Sequence, residues 1–278
     1  MAQRQEPFQI SLAEWSFHRS LLANRTTHMQ FPQTAKLMCG VDAIELVNQF
    51  FKNRARDRRY LAEFKSRADG EGVRILLIMC DDEGYLGDTD AKRIARAVEN
   101  HRKWADAAKF LGCHSIRVNA ETRGVGSFED QQKRAADGLT QLSQYCSTLG
   151  LNCLVENHGR LSSNGSWLAG VMKLVNLPNC GTLPDFGNFD LGNGKVYDRY
   201  KGVEEMMPFA KAVSAKSHDF DFNGNEIHTD YRRMLKIVLK AGYHGYVGIE
   251  YEGRNLSELE GVWATRRLLE RIRGEIAR

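Results

Sequence analysis

The chain has 278 residues, 42% of them hydrophobic, with 39 basic against 35 acidic side chains and a net charge of +4. That length bounds it to one large domain or two ordinary ones, with enough apolar material for a sizeable core. The mild charge balance without a basic run argues against a nucleic-acid partner, and no apolar run approaches the ~20 residues of a membrane span.

The stretch from Met1 to Pro7 has no apolar leader, so no signal peptide is expected, and it leads into a strand at roughly 8–14, with Trp15 just beyond it. Cys39-Gly40 closes a helical segment, and the second strand follows at roughly 43–48. Within it Glu45 and Asn48 fall on opposite faces, so one of them points inward. The third strand, roughly 73–80, runs into the acidic stretch Asp81-Asp82-Glu83-Gly84-Tyr85-Leu86-Gly87. From Ala91, residues Ile94, Val98, His101, Ala105, Ala108 and Leu111 recur about one helical turn apart until Gly112 stops the helix. The fourth strand, roughly 114–119, carries Arg117 and Asn119 on one face.

A second long helix from Ser127 repeats the helical period through Ala135, Leu139, Leu142, Cys146 and Leu149, and stops at Gly150. The fifth strand, roughly 151–157, ends in Glu156-Asn157-His158, with Glu156 and His158 on one face. The sixth, roughly 181–186, brings Asp185, and the seventh, roughly 212–219, brings Lys216 and His218 on a shared face. After Gly242 the eighth strand, roughly 245–251, ends at Glu250. Ser257 with Glu260 has capping-box spacing and opens a last helix with an apolar stripe.

Each strand is short and apolar, as strands covered on both faces are. Their alternation with helices implies parallel pairing through helical crossovers. Eight such units in 278 residues fit a single-domain (β/α)8 TIM barrel spanning residues 1–278. A doubly wound open sheet is disfavoured because the turn after the third strand lacks GxGxxG. The six cysteines, without CxxC spacing and several within apolar runs, read as reduced thiols in a reducing compartment, hence a cytoplasmic protein.

In a barrel, the C-terminal strand ends converge on one mouth. Four consecutive strands bring Glu156, Asp185, His218 and Glu250 there. Three carboxylates and one imidazole suit one divalent cation, with Mn²⁺ first and Mg²⁺ or Co²⁺ as alternatives, rather than a structural zinc. Without a cation, crowded carboxylates repel and take up protons.

These residues resemble the xylose isomerase-like TIM barrel superfamily, in the branch of sugar phosphate isomerases/epimerases. The resemblance covers nearly the whole chain and is strongest from Ile75 to Glu252, through Leu77-Ile78-Met79-Cys80-Asp81-Asp82-Glu83-Gly84, Val155-Glu156-Asn157-His158-Gly159 and Leu183-Pro184-Asp185-Phe186-Gly187-Asn188-Phe189. It implies metal ligation by Glu156, Asp185, His218 and Glu250, commonly with Mn²⁺. It also offers Glu156 and Glu250 as an acid/base pair moving a proton next to a carbonyl through an enediolate. One departure stands out. Many relatives carry D-x-x-H after the sixth strand, and here the run is Asp185-Phe186-Gly187-Asn188. Asn188 can hydrogen-bond a substrate but cannot relay a proton. His158 and Lys216 are extra polar groups able to fill that part, although Lys216 has a second reading, as a charge that compensates the carboxylates. Arg117, Asn119 and Trp15 complete the candidate substrate contacts, Trp15 as a stacking wall or as lid packing.

The function implied is a divalent-metal-dependent sugar isomerase/epimerase acting on a small molecule. The alternative is a lyase or dehydratase acting on a keto-sugar, keto-glycoside or keto-inositol in the same pocket. A non-catalytic sugar- or metal-binding barrel is a further rival. An apurinic-site endonuclease is disfavoured: Asn188 removes a ligand, and His101, His114 and His244 lie away from the strand ends where extra metals would sit. No phosphate loop is visible, which leans toward a non-phosphorylated sugar, and homo-oligomer formation through the loops is compatible with this barrel class.

Overall fold

The computed structural model describes residues 6–277. The first five residues, part of the stretch read as having no apolar leader, lie outside the described residues, as does residue 278. Eight strands build the sheet: β1 Gln9–Ala13, β2 Ala43–Val47, β3 Arg74–Met79, β4 Ser115–Asn119, β5 Asn152–Glu156, β6 Cys180–Leu183, β7 Val213–Ser217 and β8 Tyr246–Tyr251. All their ladders are parallel, in the order β6-β5-β4-β3-β2-β1-β8-β7. The ring closes between β7 and the segment that continues β6. Ser214 N donates to Pro184 O (2.9 Å) and Phe186 N to Ser214 O (3.1 Å). The eight-stranded barrel expected from the sequence is the fold observed.

The long crossover helices are α1 Arg58–Gly70, α2 Ala91–Leu111, α3 Phe128–Thr148, α4 Gly165–Val175, α5 Arg199–Met206, α6 Tyr231–Lys240 and α7 Glu258–Ile276. Their stops and starts follow local chemistry. Gly112 closes α2 at φ 83°, a conformation that costs a side chain with Cβ. The Ser257–Glu260 capping box opens α7, and Ser127 with Asp130 forms another at α3. Between β1 and β2 no long helix forms. The chain makes 3-10 turns at Glu14–Phe17 and His28–Gln30, short α segments at His18–Leu22 and Phe31–Gln33, and a π turn, Thr34–Met38. A short antiparallel hairpin, Asp190–Gly192 with Lys195–Val196, was not expected from the sequence. It follows β6, which is shorter than its sequence-expected span because Pro184 offers no N–H to continue the ladder.

The main core lies between the sheet and the helices, with Trp104, Trp167, Phe64 and Phe186 fully buried. A smaller apolar plug inside the barrel is formed by inward residues such as Ala13, Val47, Leu77, Met79 and Leu154. The polar strand ends stand above this plug. All six cysteines are unpaired and buried, and among the described residues no helix is long and apolar enough to cross a membrane.

Gly138 lets α3 press on the loop that follows β3. A Cβ there would lie 2.1 Å from Leu86 O, which is backbone and cannot swing aside. Gly138→Ala is therefore expected to destabilise by about 1–3 kcal/mol through overpacking. Gly274→Ala, on α7 with nothing within 4 Å of the new methyl, is expected to stabilise by about 0.5–1 kcal/mol. Denaturant midpoints of the two variants check both signs.

Candidate active site

The mouth is assembled from period-two strand ends. On β4, Arg117 and Asn119 both turn inward, as their spacing requires. They meet on Asp81, just past β3: its Oδ1 accepts from Arg117 Nη1 (2.6 Å) and Asn119 Nδ2 (2.8 Å). Asp81 is placed by Asn48, whose amide exchanges bonds with the Asp81 backbone N (3.0 Å) and O (2.9 Å). Arg117 also sets its Nε 2.7 Å from Glu156 Oε2, an ion pair out of hydrogen-bond alignment.

Glu156, at the end of β5, is fully buried. Its other oxygen, Oε1, accepts from Asn188 Nδ2 (3.0 Å). Asn157, the middle of the polar run after β5, is a clamp. It accepts from Asp185 N (2.7 Å) and donates to Asp185 O and Asn188 O, each 3.0 Å. Asp185 is fully buried too: Oδ1 accepts from the backbone N–H groups of Gly187 and Asn188 (both 2.8 Å), and Oδ2 from Ser214 Oγ (2.8 Å). The same hydroxyl lies 3.3 Å from Glu250 Oε2.

Lys216 projects from β7, in register with Glu250 on β8, and is 3% exposed. Nζ lies 3.0 Å from Glu250 Oε1, 3.1 Å from Asn188 Oδ1 and 3.2 Å from Glu252 Oε1, with Asp185 Oδ2 at 3.8 Å. Burial alone would lower the Lys216 pKa, but Asp185 and Glu250 outweigh it and hold the ammonium well above its usual range. Burial is also the largest influence on Glu156 and Asp185 and raises each to about 7.

A cleft of about 180 Å³ opens above these groups, lined among others by Trp15, Asp81, Arg117, Asn119, Glu250 and Glu252. His158 stands exposed on its wall. Trp15 is packed and still borders the cleft. It stacks on His18 and Phe50, at centroid distances of 4.8 and 5.9 Å, and donates Nε1 to Glu252 Oε1 at 2.6 Å, yet it still faces the cleft.

Two expectations change on the structure. His218 does not join the carboxylates. Its side chain is 38% exposed, with Nε2 4.0 Å from Glu252 Oε2 and its ring edge-on to His228 at 5.9 Å. Lys216, two residues earlier on the same face of β7, takes the inward position instead. Glu156, expected to flank substrate, is sealed beneath Arg117 and Asn188 and does not line the cleft. Several groups that line the cleft were missed, among them Asp81, Glu121 and Glu252. Glu252 was open to the reasoning used for Glu156 and His158, since it lies two residues beyond Glu250. Asp81 follows its strand as a loop residue, where period gives no direction.

Among the described residues, Glu156, Asp185 and Glu250 form the group able to hold a metal ion, with one oxygen of each within 4.8 Å of the others. The donor set fits a divalent cation poorly as it stands. No imidazole reaches it, Glu250 Oε1 is engaged by Lys216, and both Asp185 oxygens accept from other groups. An ion there would share Glu250 with the Lys216 ammonium.

Comparison with known proteins agrees with the fold. A local match, 40% identical over 55 residues, links 20% of this chain to 16% of the C-glycoside deglycosidase alpha subunit of Arthrobacter globiformis. The solved structure of D-psicose 3-epimerase in the presence of D-fructose superposes with a TM-score of 0.74 at 12% identity, covering 96% of this chain and 100% of that one. The IOLI protein with a bound zinc atom gives 0.75 at 14% identity, covering 96% and 99%. At these identities the structures share the fold. The model of the xylose isomerase-like TIM barrel family matches residues 33–273, and with the closed eight-stranded barrel around these strand-end carboxylates, the chain belongs to that family.

Proposed function

We propose that the protein removes a proton from the carbon next to a carbonyl of a small carbohydrate, as a sugar isomerase or epimerase. The observation that carries this reading is Glu250. Its carboxylate opens on the cleft, held on one oxygen by Lys216 and near Ser214 on the other, with Arg117 and Asn119 on the same wall. A carboxylate so held is a positioned base. Glu250 takes the proton, and the N–H donors of Arg117 and Asn119 stabilise the negative oxygen of the enediolate. Returning the proton to the neighbouring carbon, with the hydroxyl proton passing between the two oxygens, gives isomerisation, and delivering one from another cleft group, His158 in this reading, gives epimerisation. Trp15 supplies an apolar surface for the ring. Manganese, magnesium or cobalt, the ions expected from the residue types, fit Glu156, Asp185 and Glu250 poorly beside Lys216, and no step here passes through an ion.

A second outcome, loss of a group β to the carbonyl, shares the first step and is favoured by the 55-residue match to a C-glycoside deglycosidase subunit. Ketoses and keto-glycosides incubated with the protein in D₂O and followed by NMR test both. Deuterium at the carbon next to the carbonyl, with a new isomer or epimer, is the expected result. Exchange with release of the aglycone or of water selects the elimination. No exchange on any ketose or keto-glycoside sinks the reading.

A further inference from the structure

We propose that Lys216 is the resident cation of this site. Its ammonium occupies the place among the strand-end carboxylates that a divalent ion would take, so the protein holds its site geometry without one. The inference concerns the same cleft as the reaction proposed above but does not rest on which reaction occurs there.

Oxygens surround Nζ. It donates to Asn188 Oδ1 (3.1 Å) and Glu252 Oε1 (3.2 Å) and forms an ion pair with Glu250 Oε1 at 3.0 Å. Asp185 Oδ2, at 3.8 Å, adds charge from beyond hydrogen-bond distance. The surroundings are shaped for this arrangement. Gly187 abuts the lysine stem, and a Cβ there would lie 3.0 Å from both Cγ and Cδ of Lys216. The Asn188 amide uses both its ends, accepting from Lys216 and donating to Glu156. This gives a reason for an amide at position 188, because it presents an acceptor to the ammonium and a donor to the carboxylate side by side.

A divalent ion on Glu250 and Asp185 would sit a few ångströms from Nζ. Two like charges that close, in a partly buried site, repel strongly enough to weaken ion binding on the order of 100-fold or more. The imidazole that would complete the ion's shell is elsewhere, since His218 lies toward Glu252 and His228.

The test titrates Mn²⁺ into chelator-treated protein, reading bound ion by electron paramagnetic resonance and stability by thermal unfolding. Wild type is expected to bind no stoichiometric Mn²⁺ at micromolar concentration and to keep its unfolding midpoint. Lys216→Ala, which leaves the carboxylates uncompensated, is expected to gain one Mn²⁺ per chain with affinity on the order of 100-fold tighter than wild type, and a midpoint that rises with Mn²⁺. Lys216→Arg keeps the charge and is expected to stay indifferent. Should Lys216→Ala fold only with Mn²⁺ present, the proposal stands, and should it not fold at all, the wild-type titration decides. One tightly bound Mn²⁺ in wild type, or a Lys216→Ala variant that folds yet binds no better, overturns it. Deuterium exchange by a wild type that binds Mn²⁺ sinks this inference alone, and a metal-indifferent wild type without exchange sinks the reaction alone.

Discussion

Glu250→Gln is expected to lower the rate of solvent-deuterium exchange about 10²–10⁴-fold, the usual contribution of a positioned general base. The substitution is nearly isosteric and keeps a carbonyl oxygen where Glu250 Oε1 meets Lys216 at 3.0 Å. The ammonium therefore retains an acceptor, and the fold is expected to survive, with a small change in unfolding midpoint. The amide cannot take a proton, so the loss falls on kcat rather than on substrate affinity. Exchange measured at saturating and limiting substrate separates the two. A variant that exchanges within about threefold of wild type, far short of the loss of a general base, would show that Glu250 serves the architecture, and the base would have to be sought at Glu252 or His158.

Removing the guanidinium beneath the cleft is expected to be the costliest single change to stability. Arg117 is buried, 2.6 Å from Asp81 Oδ1 and 2.7 Å from Glu156 Oε2. Arg117→Met fills much of the same volume but leaves Glu156 without its cation. Breaking a buried pair in this way costs about 3–5 kcal/mol, because the desolvated Glu156 must keep an unpaired charge or take up a proton. At a few degrees per kcal/mol for a chain of this size, the unfolding midpoint is expected to fall on the order of 10 °C. Adding Glu156→Gln to Arg117→Met removes the orphaned carboxylate and is expected to recover part of the loss, because the amide introduced there still offers an oxygen to Asn188. A double-mutant cycle by chemical denaturation measures the coupling. Additive losses would mean that the 2.7 Å approach carries no pairing energy.

Both predictions draw on residues that strand periodicity had singled out, but their roles come from the folded site. Arg117 and Asn119 were legible as a pair because a spacing of two on a strand fixes a common face whatever lies around it. Lys216 and His218 satisfy that rule equally, and the rule is silent about depth. Lys216 comes earlier on β7, so its stem starts below the mouth and reaches up among the carboxylates, whereas His218 follows the strand end and turns toward Glu252. The same depth effect separates Glu156, sealed under Arg117, from Glu250, open to the cleft. Asp81 was invisible to periodicity because its place depends on the amide of Asn48, which is remote in sequence.

By itself the amino-acid order determined the barrel, since the alternation of short apolar runs with helical periods closed by glycines leaves few other ways to bury both faces of a parallel sheet. It also determined which strands end in charge. What the tertiary structure decided was the partner of each charge. Pairing energies depend on separations of about 3 Å between side chains from different strands, and those separations follow from barrel closure and strand stagger, which no local pattern in the chain encodes.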